Sequence, residues 1–312
     1  MQNIVVLGSI NMDLVVLAER APQAGETLTG SQFLTAPGGK GANQAVATAR
    51  MGSQVGFIGR VGADGFGGEL KGKLAENGID VDHVLQDKDT TTGVALIIVE
   101  AGGENRIVII PAANGRISAS DVDQAQPLLK GAQALVTQLE IPLDTVTYGI
   151  QQAKILGLKV ALNPAPAKPL PEALLKQVDF LILNETETQL LTGSAVEDVP
   201  SAHRAGNIMH GITGGEVILT LGSKGSVAVG AQGAWFVPAY QVQAVDTTAA
   251  GDAFIGAFIS AYEGSLPEAV LAGNAAGALA CTKLGAQPSL PSAAEVKAFM
   301  EKERSSISIQ AL

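Results

Sequence analysis

Short runs of β-branched and apolar residues recur along the chain, separated by longer segments in which Ala, Leu and Gly mix with polar residues. The runs are continuously apolar, as expected for strands buried on both faces of a parallel sheet. The pattern predicts strands at residues 4–7, 55–58, 134–136, 160–162, 180–183 and 217–219. Between them it predicts helices at 41–51, 67–77, 120–130, 143–156 and 185–191. Strands alternating with crossover helices give an α/β fold, a helix-flanked and mostly parallel sheet.

Two stretches break the alternation: residues 13–16 with 27–34, and 93–99 with 106–110. The second pair flanks Ala101-Gly-Gly-Glu-Asn105, a hairpin turn signal, and is more apolar than one exposed hairpin normally is. These stretches are either edge strands of the main sheet or a separate small sheet that covers a ligand or pairs with another subunit. No repeat, low-complexity tract or linker cuts the sequence, so one domain over residues 1–312 is expected.

Composition narrows the partners. With 46% hydrophobic and 16% charged residues in 312, the chain buries a substantial core and is not disordered. A formal charge of -10 disfavours nucleic acid and anionic membranes as partners. Any phosphate must therefore be held by local geometry. Cys281 is the single cysteine, and His83, His203 and His210 show no metal-ligand spacing, which suits a reducing, cytoplasmic interior. The amino-terminal run has no basic leader and reads as a strand, not a signal peptide. Residues 253–261 and 269–280 are too short and too interrupted to span a membrane, which takes roughly 18 apolar residues.

Four segments carry candidate chemistry. Pro37-Gly-Gly-Lys-Gly-Ala-Asn43 opens a helix, where glycines let backbone amides approach a ligand and the helix N-terminus favours oxygen-rich groups. It is not a P-loop, because Gly41 stands where Ser or Thr would be, and the chain has no dinucleotide fingerprint. Val245-Asp-Thr-Thr-Ala-Ala-Gly-Asp252 places exposed amides beside a carboxylate at a helix start, a combination suited to phosphoryl transfer or simply to capping. Asn184-Glu-Thr-Glu187 follows a strand and supplies oxygen ligands for Mg2+, or an ordinary helix cap. Thr220-Leu-Gly-Ser-Lys-Gly225 could follow the phosphates and ribose of a nucleotide.

Taken in order, these segments resemble the ribokinase branch of the carbohydrate kinase family. Gly8-Ser-Ile-Asn-Met-Asp13, Gln138-Leu-Glu140, Asn163-Pro-Ala-Pro166 and Gly285-Ala-Gln-Pro-Ser289 extend the resemblance over essentially the whole chain. It implies a ribokinase-like fold whose two leftover stretches, about residues 13–35 and 93–111, form a β lid that also makes a homodimer. It implies an ATP-dependent kinase that phosphorylates the 5-hydroxyl of D-ribose, with Mg2+ beside the nucleotide and K+ as activator. Asp252 then matches the general base, and Ala249, Ala250 and Gly251 match the anion hole. Asn11, Asp13, Gly39, Lys40, Asn43 and Glu140 match the sugar ligands. Asn184 and Glu187 match the Mg2+ and phosphate motif, with Thr220, Gly222, Ser223, Gly225 and Asn274 along the nucleotide. Asp246, Thr248, Ala280, Lys283, Gly285 and Ser289 match the K+ positions, several through backbone carbonyls.

No further Arg or Lys stands beside these motifs, which favours a free sugar over a sugar phosphate. Deoxyribose, another free sugar, a nucleoside, or sugar binding without catalysis are the alternatives; aromatic residues at 4% disfavour the nucleoside. Two departures from the usual family pattern are Ala253 after Asp252, and Ala112 in Pro111-Ala-Ala-Asn114 where Gly is more usual.

Overall fold

A computed structural model describes residues 2–102 and 104–312, so Gly103, in the middle of the turn expected at 101–105, lies outside the described residues. The strands in chain order are β1 (Asn3–Leu7), β2 (Asn11–Ala18), β3 (Gln32–Gly38), β4 (Gln54–Gly62), β5 (Val84–Asp87), β6 (Gly93–Glu100), β7 (Asn105–Ile110), β8 (Ala134–Thr137), β9 (Lys159–Leu162), β10 (Phe180–Leu183), β11 (Glu216–Thr220), β12 (Gly225–Gly230), β13 (Gly233–Pro238) and β14 (Gln310–Ala311). Ten of them form one sheet in the order β14-β13-β12-β11-β10-β9-β8-β1-β4-β5. From β11 to β5 every pairing is parallel, and only the β12–β13–β14 edge is antiparallel.

The continuous apolar runs have a direct structural reason. In β1, Ile4 and Val6 belong to one buried cluster while Val5 and Leu7 belong to another on the opposite face of the sheet. The first cluster includes residues of the helices Lys40–Arg50, Ala250–Ala261 and Leu266–Ala280, and the second those of Leu143–Ile155 and Val199–Thr213. Each strand therefore needs apolar side chains on both faces. Among the described residues no helix is long and apolar enough to cross a membrane.

Two expectations change in detail. The helix expected at 120–130 is two short helices, Ala119–Gln124 and Gln126–Lys130, broken at Ala125. Pro127 sits in the first turn of the second, where its missing N–H costs nothing; within one continuous helix it would remove a hydrogen bond. The strand expected at 27–34 runs instead over Gln32–Gly38, because its register against β2 pairs Leu17 with Gln32 and Asn11 with Gly38.

The leftover stretches are not edge strands of the main sheet. They form a separate four-stranded sheet, β3-β2-β6-β7, in which β2 and β6 are parallel and the outer pairs antiparallel. At its root Asn11 lies between Gly38 of β3 and Gly93 of β6. Away from the root the sheet is apolar and exposed: Phe33 is 62% accessible, Ile107 55% and Val108 61%.

Candidate active site

The Gly-rich turn lies directly after β3, so the small sheet delivers the chain into the start of the helix Lys40–Arg50. Gly39 has φ +89°, and a Cβ there would fall 2.7 Å from the Asn11 amide nitrogen. Only glycine fits such a turn. The next turn of the site comes from the loop after β1: the Ser9 carbonyl accepts the Ala42 amide at 2.9 Å. Glu140, just past β8, accepts the Ser9 hydroxyl at 2.6 Å and the Lys40 amide at 3.0 Å. Asp13 stands against the same turn, with its carboxylate where a Cβ on Gly38 would be.

Asp252 lies in the first turn of the helix Ala250–Ala261, preceded by Ala249 in the left-handed region at φ 59°. That conformation is rare for alanine and swings the chain abruptly into the helix. Asp252 is buried and accepts Asn43 Nδ2 on Oδ2 at 3.0 Å and Gln44 Nε2 on Oδ1 at 2.9 Å. The helix Lys40–Arg50 thus brings two consecutive side-chain amides to one carboxylate. The first amides of a helix have no intrahelical partners, which leaves the Gly251 N–H available to a ligand. The Ala250 amide differs, since it donates to the Thr247 carbonyl at 3.2 Å.

The electrostatics of this pocket are dominated by acids around one cation. Burial raises the pKa of Asp252, while Lys40 and the amides of Gln44 and Asn43 pull it down and Glu140 pushes it further up. Asp13 is pushed up to about 7 by burial and by the charges of Glu140 and Asp252. Burial lowers Lys40, but Asp252, Glu140 and Glu187 outweigh it and leave the ammonium held above its usual value. A second anionic group would be repelled here, whereas paired hydroxyls would find both acceptors and donors.

Beside Asp252 opens a cavity of about 260 Å³, and Thr220, Gly222, Ser223, Gly225, Gly251 and Asn274 all line it. The Asn274 amide, however, is committed to the protein: it donates to the Val237 and Pro238 carbonyls at 3.0 and 3.2 Å and accepts from Ser226 at 2.7 Å. It shapes the wall that joins β12 to β13. A larger groove of about 760 Å³ beside the helix Ala293–Lys302 contains none of the candidate residues.

Asn184 and Glu187 form a reciprocal cap on the helix Glu185–Thr192: Asn184 Oδ1 accepts the Glu187 amide and Glu187 Oε2 accepts the Asn184 amide, both at 2.9 Å. Glu187 is buried nonetheless, and burial raises its pKa against the lowering by Asn184 and Lys40. No three His, Cys, Asp or Glu side chains gather as a metal cluster among the described residues.

At the third candidate location, Asp246 accepts the Thr248 amide on Oδ1 and the Gly285 amide on Oδ2, each at 2.9 Å. The chain near Ala280 joins them, since the Cys281 carbonyl accepts the Val245 and Asp246 amides. Lys283 turns its ammonium away to Glu295 at 3.0 Å, and the Ser289 hydroxyl donates to the Ala286 carbonyl at 2.8 Å.

Four side chains at the site were given no role from the sequence: the buried Gln44, Gln138 and Asn114 and the half-buried Asn163. Gln44 carried a readable signal, because Gln44 and Thr48 stand one and two turns after Lys40 on a helix face that has to be buried. Asn114 holds Asn11: its Nδ2 donates to Asn11 Oδ1 at 2.7 Å and to the Ile10 carbonyl at 2.9 Å. The turn that carries it contains Ala112 at φ 45°, the left-handed conformation that explains why Gly is the commoner residue there.

Comparison with known proteins shows the family. A family model described as pfkB family carbohydrate kinase matches residues 1–293. The ribokinase of Haemophilus influenzae is 43% identical over 303 residues, covering 96% of this chain and 99% of the relative. A deoxyribokinase of Salmonella typhi is 38% identical over 96% of this chain and 98% of its own length. The structure of an Arabidopsis thaliana ribokinase complexed with ribose and ATP superposes with a TM-score of 0.87 at 32% identity, covering 96% of this chain and 99% of that one. The chain belongs to the pfkB family of carbohydrate kinases.

Proposed function

We propose that the chain is an ATP-dependent kinase that transfers the γ-phosphoryl group of ATP to the 5-hydroxyl of D-ribose, giving ribose 5-phosphate and ADP. The observation that carries this reading is the position of Asp252, between the acid-lined pocket of Asp13, Glu140 and Lys40 and the cavity that Gly251 shares with the nucleotide candidates. A base in the acid-lined pocket, one residue from the wall of the other cavity, can take the proton of a sugar hydroxyl while its oxygen attacks phosphorus. Asn11, Asp13, Gly39, Lys40, Asn43 and Glu140 hold the sugar, with the backbone of Gly39 contributing through the turn it permits. Lys40 and the two amides favour the ionised form of Asp252, the form a proton acceptor needs, against the burial that raises its pKa. The amides of Ala249 and Gly251 face the developing phosphoryl charge, while Ala250 supports the turn. Thr220, Gly222, Ser223 and Gly225 line the nucleotide, and Asn274 fixes the wall behind it.

Mg2+ bound with ATP would neutralise phosphate charge. Glu187 suits it as a buried carboxylate acting with water and phosphate oxygens, because Mg2+ is commonly held by one or two carboxylates and keeps several waters. Asn184 orients Glu187 through their reciprocal cap. For K+, the Asp246 carboxylate and the carbonyls around Thr248, Ala280, Lys283, Gly285 and Ser289 are hard oxygen donors of the right kind.

The chain works as one domain over residues 1–312, with the small sheet, about residues 13–35 and 93–111, as a lid. Lid closure excludes water that would hydrolyse ATP. Its exposed apolar residues favour a homodimer formed through the lid. The lone cysteine and the acidic surface suit a cytoplasmic location.

The test is ADP formation from Mg-ATP with D-ribose, 2-deoxyribose, fructose, adenosine and fructose 6-phosphate, each with and without K+. Turnover greatest on ribose and raised by K+ supports the reading. The Salmonella deoxyribokinase makes deoxyribose the second reading, and greater turnover on that sugar would install it. Asp252→Asn should lower kcat by about 10³-fold while sugar binding survives, and near-normal turnover in that variant overturns the assigned base.

A further inference from the structure

Gln44, one of the two amides that favour the ionised Asp252, is itself held by a second buried amide that the reaction described above gives no part. Gln44 and Gln138 are both fully buried. Gln44 Nε2 donates to Asp252 Oδ1 at 2.9 Å, and Gln44 Oε1 accepts Gln138 Nε2 at 2.7 Å. An ionised carboxylate can only accept, so Gln44 must turn its NH2 toward Asp252. Its carbonyl then faces Gln138, which must in turn offer its own NH2. Flipping either amide would set two acceptors face to face, so the network assigns both orientations. At the far end Gln138 Oε1 is buried without a partner among the described residues, in close contact with Gly8, where a Cβ would fall 2.3 Å from it.

We propose that Gln44 is a positioning residue for phosphoryl transfer, held by Gln138 in the one amide orientation that keeps the Asp252 carboxylate aimed at the acceptor hydroxyl. The proposal rests on the kinase reading above. The charged groups around Asp252 are Lys40, Glu140, Asp13 and Glu187, and of these only Lys40 favours the ionised carboxylate. Gln44 and Asn43 supply the remaining stabilisation as hydrogen-bond donors. Loss of the Gln44 donor therefore shifts Asp252 toward its protonated form and loosens its aim.

The experiment compares full-length wild type with Gln44→Met, Gln138→Met and the double variant, measuring kcat and both KM values from pH 5 to 9. Gln44→Met should lose about 10- to 100-fold in kcat, as for other groups that orient a working side chain. Its KM for ATP should stay within about 3-fold, and the acid limb of its kcat profile should move to higher pH. Gln138→Met should show a smaller loss and the same direction of pH shift. The double variant should be no worse than Gln44→Met, because one relay is broken either way. An unchanged acid limb in folded Gln44→Met, or losses that multiply in the double variant, overturns the proposal. Should Gln44→Met fail to fold, Gln138→Met decides, since it does not touch Asp252, and an unchanged acid limb there overturns the relay. Wild-type turnover tests the functional reading separately. The variant ratios are taken on whichever acceptor the wild type uses, and without turnover the proton uptake on ribose binding, by calorimetry in two buffers, takes the place of the acid limb.

Discussion

One oxygen of Glu140 holds two turns at once, accepting the Ser9 hydroxyl at 2.6 Å and the Lys40 amide at 3.0 Å. The loop after β1 and the Gly-rich turn are thereby fixed to the end of β8. Glu140→Ala should cost about 1–3 kcal/mol of stability, because two donors lose their acceptor. Calorimetry should show ribose affinity down more than about 10-fold, with ATP affinity within about 3-fold, since the nucleotide cavity does not contain Glu140. Equal loss of both ligands would mean that the whole site had collapsed.

Asp13 gives a pH dependence of defined sign. Its folded pKa of about 7 lies above the ordinary 3.8, so its contribution favours folding below pH 3.8 and is lost as pH rises toward 7. Asp13→Asn should therefore be more stable than wild type at pH 8 by roughly 1–3 kcal/mol, and little different at pH 4. Urea unfolding at the two pH values measures this. The same variant should bind ribose poorly, an exchange of function for stability.

Gly251 is a glycine that the fold itself does not require. Nothing lies within 4 Å of a Cβ built there, and the residue is in the first turn of a helix. Gly251→Ala should keep or raise the melting temperature, by up to about 1 kcal/mol in stability. Its turnover should fall at least about 10-fold, because the methyl group would occupy space meant for the phosphates. A fully active variant would mean that the phosphates lie elsewhere.

Adjacent residues Ile107 and Val108 point to opposite faces of the small sheet, and both are exposed. Burying one face between two copies is the economical use of such a surface. Wild type should sediment as a dimer at micromolar concentration, and Glu at one of the two positions should give monomers with lowered turnover. A monomeric wild type would reject the lid-mediated dimer.

Much of this architecture was legible because the main sheet needs apolar residues on both faces, and β1, β4, β8, β9, β10 and β11 are all such runs. The β12–β13 edge was hidden because its glycines, including Gly225 and Gly230, read as turns. Strand β3 was displaced in the sequence reading because register is a property of pairing: Leu17 opposite Gln32 is fixed by β2, not by the local residues. At the site, Asp252 and the Gly-rich turn stood out by their spacing. Gln44 and Gln138 did not, since an amide acquires meaning only from what it faces, and Gln138 approaches Gln44 from 94 residues away.

Asn11, between Gly38 and Gly93, occupies the row where three strands of the small sheet are rooted. A lever pivots about its fulcrum, and on the proposed reading the fulcrum is made of the same residues that are assigned to the sugar. On that reading substrate choice and the mechanics of closing form one inherited trait, and mutations that retune Asn11 or Asp13 for a new sugar would also alter how the lever swings. New specificity in this scaffold should therefore come more readily from positions further out along the sheet, where a side chain can change without moving the pivot.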